Sequence, residues 1–250
     1  MKTRIFLYLA LIGFYLLVLY SFICVFSIKN SQSDTLRVAI VDTGLNLSDP
    51  RFKGLICDKG SKNFVEDEGI NDFNGHGTFV AGLIRQYAGK SNYCLLIYKY
   101  FRNSDPGTTQ LTNELSAFNE AILNKADIIN LSAGGIVFNE DEYLMIKYHP
   151  EITFVVSAGN DSHNLDIPGN EYYPASYWLP NEKIVENVDK YYRHVLSSNY
   201  SKRSIKELGD NVLSDLPNGK VGYKTGSSMS TAITTGKLIR SRSKDRTLRK

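Results

Sequence analysis

An α/β fold with a central, mostly parallel sheet flanked by helices is the architecture that this sequence predicts. Three observations carry the expectation. Short apolar runs rich in β-branched residues alternate with longer runs of helical spacing. The apolar runs end in turns that carry glycine and small polar residues. Asp42, Ser132 and Asn160 fall just past the ends of three such runs, where open parallel sheets gather their functional groups.

Leu36 to Val41 is an apolar, β-branched run of strand length that ends at Asp42-Thr43-Gly44, and it reads as a buried strand followed by a turn. Gly75-His76-Gly77-Thr78 opens a helix over Phe79 to Ile84, and Cys94 to Tyr100 is the next strand. Leu111 to Lys125 places Leu115, Phe118, Ala121 and Ile122 on one helical face. Asp127 to Leu131 is a strand ending in Ser132-Ala133-Gly134-Gly135, and Tyr143 to Tyr148 is a short helix. Ile152 to Val156 is a strand ending in Ser157-Ala158-Gly159-Asn160. Gly226-Ser227-Ser228-Met229 then leads into a helix over Ser230 to Leu238. No internal repeat or low-complexity segment interrupts this order.

With 42% hydrophobic residues, a chain of 250 residues can bury a sizeable core. A net charge of +3 is too small to argue for a nucleic-acid partner. The basic residues cluster at the end, and residues 240–250 read as a frayed, solvated basic tail, with contact to anionic lipid as the alternative. No Cys-x-x-Cys or His-x-x-x-His spacing suggests zinc, so neither a metal nor a cofactor is expected.

Met1-Lys2-Thr3-Arg4 is basic, and Ile5 to Ile28 then runs 24 residues without a charge. As a helix this stretch reaches about 36 Å, enough for a hydrocarbon core of roughly 30 Å. It is longer than the roughly 7–15 apolar residues of a signal peptide. Residues 1–35 therefore read as a membrane segment through residues 5–28 and a short polar linker. A signal-anchor would hold the body outside the cytoplasm, and a cleaved signal peptide would leave it secreted.

The candidate chemistry lies in the glycine-bearing loops. A serine at the mouth of a helix meets unpaired N–H groups and a dipole that favour negative charge. It becomes a nucleophile when a histidine takes its proton and a carboxylate fixes that histidine. An amide beside it can bind the oxyanion. The chain supplies Asp42, His76, Asn160 and Ser228 in that order. In the stretches Val38 to Gly44, Asn74 to Gly82, Ile129 to Gly135, Val156 to Asn160 and Gly226 to Met229, it resembles the subtilisin-like serine proteases. The resemblance covers residues 36–239 and implies a three-layer peptidase domain.

The resemblance implies a role for each matched residue. Ser228 would be the nucleophile, His76 the general base and then acid, and Asp42 its orienting carboxylate. Asn160 and the Ser228 backbone N–H would bind the oxyanion. Ser132, Ala133 and Gly134 on one side, and Ala158 and Gly159 on the other, would wall the pocket for the residue before the scissile bond. Small walls there imply room for a large apolar or aromatic side chain. The partner would be a protein or peptide substrate.

The chain also departs from the family pattern. Ala232 stands where a proline is usual, and Phe79 where a second histidine is common. Tyr87 to Tyr93 holds no carboxylate, so the family's calcium loop is expected to be absent; Asp49 alone is not a site. Asn103 to Gly107 replaces a glycine-rich substrate-pairing edge, and Pro106 lacks an N–H for that pairing. Tyr173-Pro174 matches a loop with a cis proline, and Ser176 to Pro180 reads as an aromatic insertion that packs on the surface, with a partner or substrate patch as the alternative. Cys57 and Cys94 each begin a strand, and the resemblance implies that these strands lie side by side, so a disulfide is expected in an oxidising compartment, with two unpaired buried cysteines as the alternative. The linker before Leu36 leaves no room for an inhibitory pro-domain, so a separate inhibitor or chaperone, or another restraint, would do its work. A catalytically silent membrane scaffold and a transpeptidase are the alternative functions of the same fold.

Overall fold

The computed structural model describes residues 35–102 and 104–248. The apolar N-terminal stretch, and with it the membrane reading, lies outside the described residues. Among those residues, no helix is long and apolar enough to cross a membrane.

Seven strands form one parallel sheet in the order β2-β3-β1-β4-β5-β6-β7. They are β1 Leu36–Asp42, β2 Lys62–Asn63, β3 Tyr93–Lys99, β4 Ile128–Leu131, β5 Thr153–Ser157, β6 Glu182–Val188 and β7 Ile205–Leu208. Antiparallel strands β8 Val212–Asp215 and β9 Val221–Lys224 form a separate hairpin. The helices are α1 His76–Ala88, α2 Gly107–Leu123, α3 Glu140–Lys147 and α4 Ser227–Leu248.

Strand β1 explains the layering. Successive side chains of a strand point to opposite faces. Leu36, Val38 and Ile40 join the core beneath α1 and α4, with Phe79, Leu83 and Ile233. Ala39 and Val41 join the opposite core, with Phe118 of α2 and Ile146 of α3. A strand buried on both faces reads as a near-continuous apolar run, which is why β1, β3 and β5 were legible. The phenyl rings of Phe118 and Phe154 meet edge to face at 5.5 Å and tie α2 to the sheet.

Several expectations change in detail. The strand expected to begin at Cys57 is a single bridge between Ile56 and Leu95, and the edge strand β2 forms further on. Cys57 and Cys94 are joined by a disulfide. Helix α2 starts at Gly107, with Pro106 at the N-cap position, four residues before its apolar spacing begins. Arg102 pairs with Asp105 at 2.6 Å across the turn before it. The stretch expected to fray is helical as far as Leu248, in one piece with the helix that opens at Ser227. Arg242 donates to the Asp127 carbonyl at 3.2 Å and to the Thr153 hydroxyl, which binds α4 to the N-terminal ends of the strands.

The insertion at Ser176 to Pro180 packs inward. The Tyr177 ring is 8% exposed and meets Phe138, Tyr143 and Tyr173. Its hydroxyl donates to Glu142 at 2.6 Å. Tyr173-Pro174 is cis, as the resemblance implied.

Candidate active site

The chain leaves β1 toward β3 on one side and toward β4 on the other. Such a reversal opens a crevice at the C-terminal ends of the strands, and Asp42 and Ser132 follow β1 and β4 there. Helices α1 and α4 bring His76 and Ser228 to the same region from their first turns.

The His76 Nδ1 atom lies 2.8 Å from Asp42 Oδ1 and 3.0 Å from Oδ2. Asp42 is buried, and its Oδ1 also accepts from the Thr43 N–H at 2.7 Å. A carboxylate held this way fixes Nδ1 as the protonated nitrogen and leaves Nε2 as the acceptor. Burial works against the imidazolium, but the Asp42 charge and hydrogen bond outweigh it and hold the His76 pKa above its ordinary value. Asp42, His76, Tyr100, Phe101, Ser132 and Ala133 line a cavity of about 260 Å³.

Asp72 builds the start of α1. Its Oδ1 accepts from the Thr43 hydroxyl and from the Asn74 and Gly75 N–H groups at 2.9, 3.0 and 2.7 Å. Its Oδ2 accepts from the Thr78 N–H and hydroxyl at 2.8 and 2.6 Å. The Thr43 hydroxyl in turn accepts from the Gly77 N–H at 2.8 Å. Gly77 is obligatory in this packing, because a Cβ there would lie 2.3 Å from the Gly44 carbonyl oxygen. Asp72 stands outside the motif around His76, so only an aspartate shortly before a helix start pointed to it.

At the start of α4, the Ser228 hydroxyl donates to the Ser132 carbonyl at 2.8 Å, and the Ser132 hydroxyl donates to the Ser228 carbonyl at 3.0 Å. Among the described residues no hydrogen bond joins Ser228 to His76. Asn160 Oδ1 accepts from the Ser227 N–H at 2.9 Å and from its hydroxyl at 3.0 Å. That leaves its amide donors available to a ligand. Ser227 also meets the Ser157 hydroxyl at 2.6 Å. Asn130 spans the layers, donating to the Ser132 hydroxyl at 3.0 Å and accepting from Thr235 of α4 at 2.8 Å.

The space between the two expected pocket walls is not open. The Tyr172 ring contacts both Gly134 and Gly159. On the other side of Ala133 and Gly134, a cavity of about 580 Å³ is lined by Tyr100, Phe101, Ile136, Tyr173, Glu114 and Glu142 among others. Burial and mutual repulsion push Glu114 well above the usual carboxylate range; burial raises Glu142 despite its hydrogen bonds to Glu114 and Tyr177. Neither residue was singled out in the sequence, since a glutamate on a helix usually faces solvent. Asp49 accepts from Arg51 at 2.6 Å, a structural ion pair.

By its architecture the molecule is an α/β protein with its cleft at the switch point of a parallel sheet. Residues 33–249 match the subtilase family. The chain is 32% identical over 225 residues to the major intracellular serine protease of Bacillus subtilis, covering 84% of this chain and 69% of that one. It is 30% identical over 218 residues to an intracellular serine protease of Paenibacillus polymyxa, covering 81% of this chain and 65% of that one. A crystal structure of a cold-adapted subtilisin-like serine proteinase superposes with a TM-score of 0.71 at 22% identity, over 86% of this chain and 78% of that one. The chain belongs to the subtilase family of serine proteases.

Proposed function

We propose that the chain is a serine endopeptidase that cleaves extended peptide segments through an acyl-enzyme, with Ser228 as nucleophile. The Asp42–His76 pair, at 2.8 Å in the switch-point crevice, is the observation that carries this reading. The Ser228 hydroxyl leaves the Ser132 carbonyl and gives its proton to His76 Nε2 as its oxygen bonds to the substrate carbonyl carbon. Negative charge gathers on the substrate oxygen, where the Asn160 amide and the Ser228 N–H donate to it. The carbonyl re-forms, the carbon–nitrogen bond breaks, and His76 returns the proton to the leaving amine. Water, activated by the same imidazole, then splits the ester. Substrate protein would run along Ala133 to Gly135, between the two cavities. Residues 5–28 would anchor the body outside the cytoplasm, a placement that the Cys57–Cys94 disulfide supports.

A second reading, a peptide-binding scaffold without turnover, draws on the Ser228–Ser132 hydrogen bond, which directs the hydroxyl away from His76. Incubation of the full chain with a mixed peptide library, followed by mass analysis, separates the readings. Hydrolysis gives product pairs whose masses sum to the substrate plus one water. Products that incorporate an added amine in place of water would make the enzyme a transpeptidase. Bound but uncut peptides would leave the scaffold.

A further inference from the structure

The wall residues on either side of the first substrate pocket are small, yet the volume between them is filled. A Cβ built on Gly134 would lie 2.5 Å from Tyr172 Cε1 and 3.1 Å from Cζ. A Cβ built on Gly159 would lie 3.1 Å from both Tyr172 Cδ1 and Cδ2. Gly159 therefore approaches the ring midway between its two Cδ atoms, and Gly134 meets its outer edge. The phenol is wedged between the two segments expected to sandwich a substrate side chain.

The backbone around the ring is pinned. The Tyr172 N–H donates to the Ser176 hydroxyl at 3.0 Å, and its carbonyl accepts from the Ser176 N–H at 2.8 Å. Tyr173 exchanges two backbone hydrogen bonds with Gly135, at 2.6 and 2.8 Å. A backbone tethered on both sides of the ring cannot carry it out of the pocket by a loop movement without breaking these bonds. Burial, with Asp161 and Glu114 nearby, pushes the phenol up to about 12, so the group stays neutral and acts by its bulk.

We propose that Tyr172 is a specificity-determining residue that closes the floor of the first pocket and restricts the residue on the acyl side of the scissile bond to small side chains. Alanine, glycine and serine fit; leucine, phenylalanine and tyrosine meet the ring. This rests on the endopeptidase reading and replaces the large side chain implied by the wall residues alone.

The test compares full-length wild type with Tyr172→Gly and Tyr172→Phe on matched peptides that differ only in alanine or phenylalanine before the cleaved bond. Wild type and Tyr172→Phe are expected to favour alanine. Tyr172→Gly is expected to raise the phenylalanine-to-alanine ratio of kcat/KM on the order of 10²-fold, since even one methylene in an apolar pocket is worth roughly 10–200-fold. A wild type that prefers phenylalanine overturns the proposal, whether or not Tyr172→Gly folds. So does a folded, active Tyr172→Gly with an unchanged ratio. A chain that cuts neither peptide and fails to label with a fluorophosphonate removes the endopeptidase premise, and the proposal with it.

Discussion

Asn160 shows how neighbours assign the polarity of a single side chain. Two donors of Ser227 occupy its carbonyl end, so the amide end is left to donate, and the proposed function gives it the developing oxyanion. Loss of a donor that acts only on the transition state lowers kcat and leaves KM almost untouched. Asn160→Ala is therefore expected to lower kcat by about 10²–10³-fold with little change in KM, as removal of one oxyanion donor does elsewhere. Steady-state kinetics check this, and an unaltered kcat would take Asn160 out of the machinery. At this scale the sequence singles out a residue where a short motif surrounds it, as at Asp42, His76, Asn160 and Ser228. It was silent where a role depends on a distant partner. The size of the Gly134 and Gly159 walls was readable, but the tyrosine wedged between them comes from a loop that neither motif contains. In the same way, the Ser132 carbonyl that accepts from Ser228 lies 96 residues away in the chain.

The elements that carry the site depend on polar groups buried at their ends. The first N–H groups of α1 cannot bond within the helix, and Asp72 accepts from Gly75 and Thr78 there. Asp72→Ala would strand those donors in a buried setting, at a cost of about 1–3 kcal/mol for each unsatisfied group. Urea unfolding is expected to show a loss of stability on the order of 3 kcal/mol; an unchanged midpoint at unchanged slope would contradict it. Strands β1, β3, β4 and β5 were visible because apolar residues dominate their runs, with only single polar interruptions such as Arg37 and Asn130. Strand β6 was missed because Glu182, Glu186 and Asn187 interrupt its pattern although all three are buried. Strands β7, β8 and β9 have only four residues each, with exposed positions among them, too little for a period to emerge. Ser176 to Pro180 was misread for a related reason: an aromatic cluster looks the same whether it faces solvent or an inner layer.

For the molecule as a whole, one sheet buried on both faces sets the site. Helices α1 and α4 pack on one side of it, and their first turns deliver His76 and Ser228 to the crevice where β1 and β4 part. Helix α4 continues through the basic stretch to Leu248, where composition alone had suggested a solvated end. The fold class and the order of the chemical groups were legible because both are local patterns repeated along the chain. The contents of the substrate cavities were not, because loops distant in sequence fill them. The central claim is that this scaffold holds an activated serine, and labelling of the full-length chain with a fluorophosphonate across pH tests it most directly. His76 must be neutral to accept the proton, and its pKa is raised. The labelling rate should therefore climb with pH through a midpoint above the ordinary histidine value of about 6.5. Labelling should map to Ser228, vanish in Ser228→Ala and fall steeply in His76→Ala. A folded protein that takes up no label at any pH, or one whose label survives in Ser228→Ala, would contradict it.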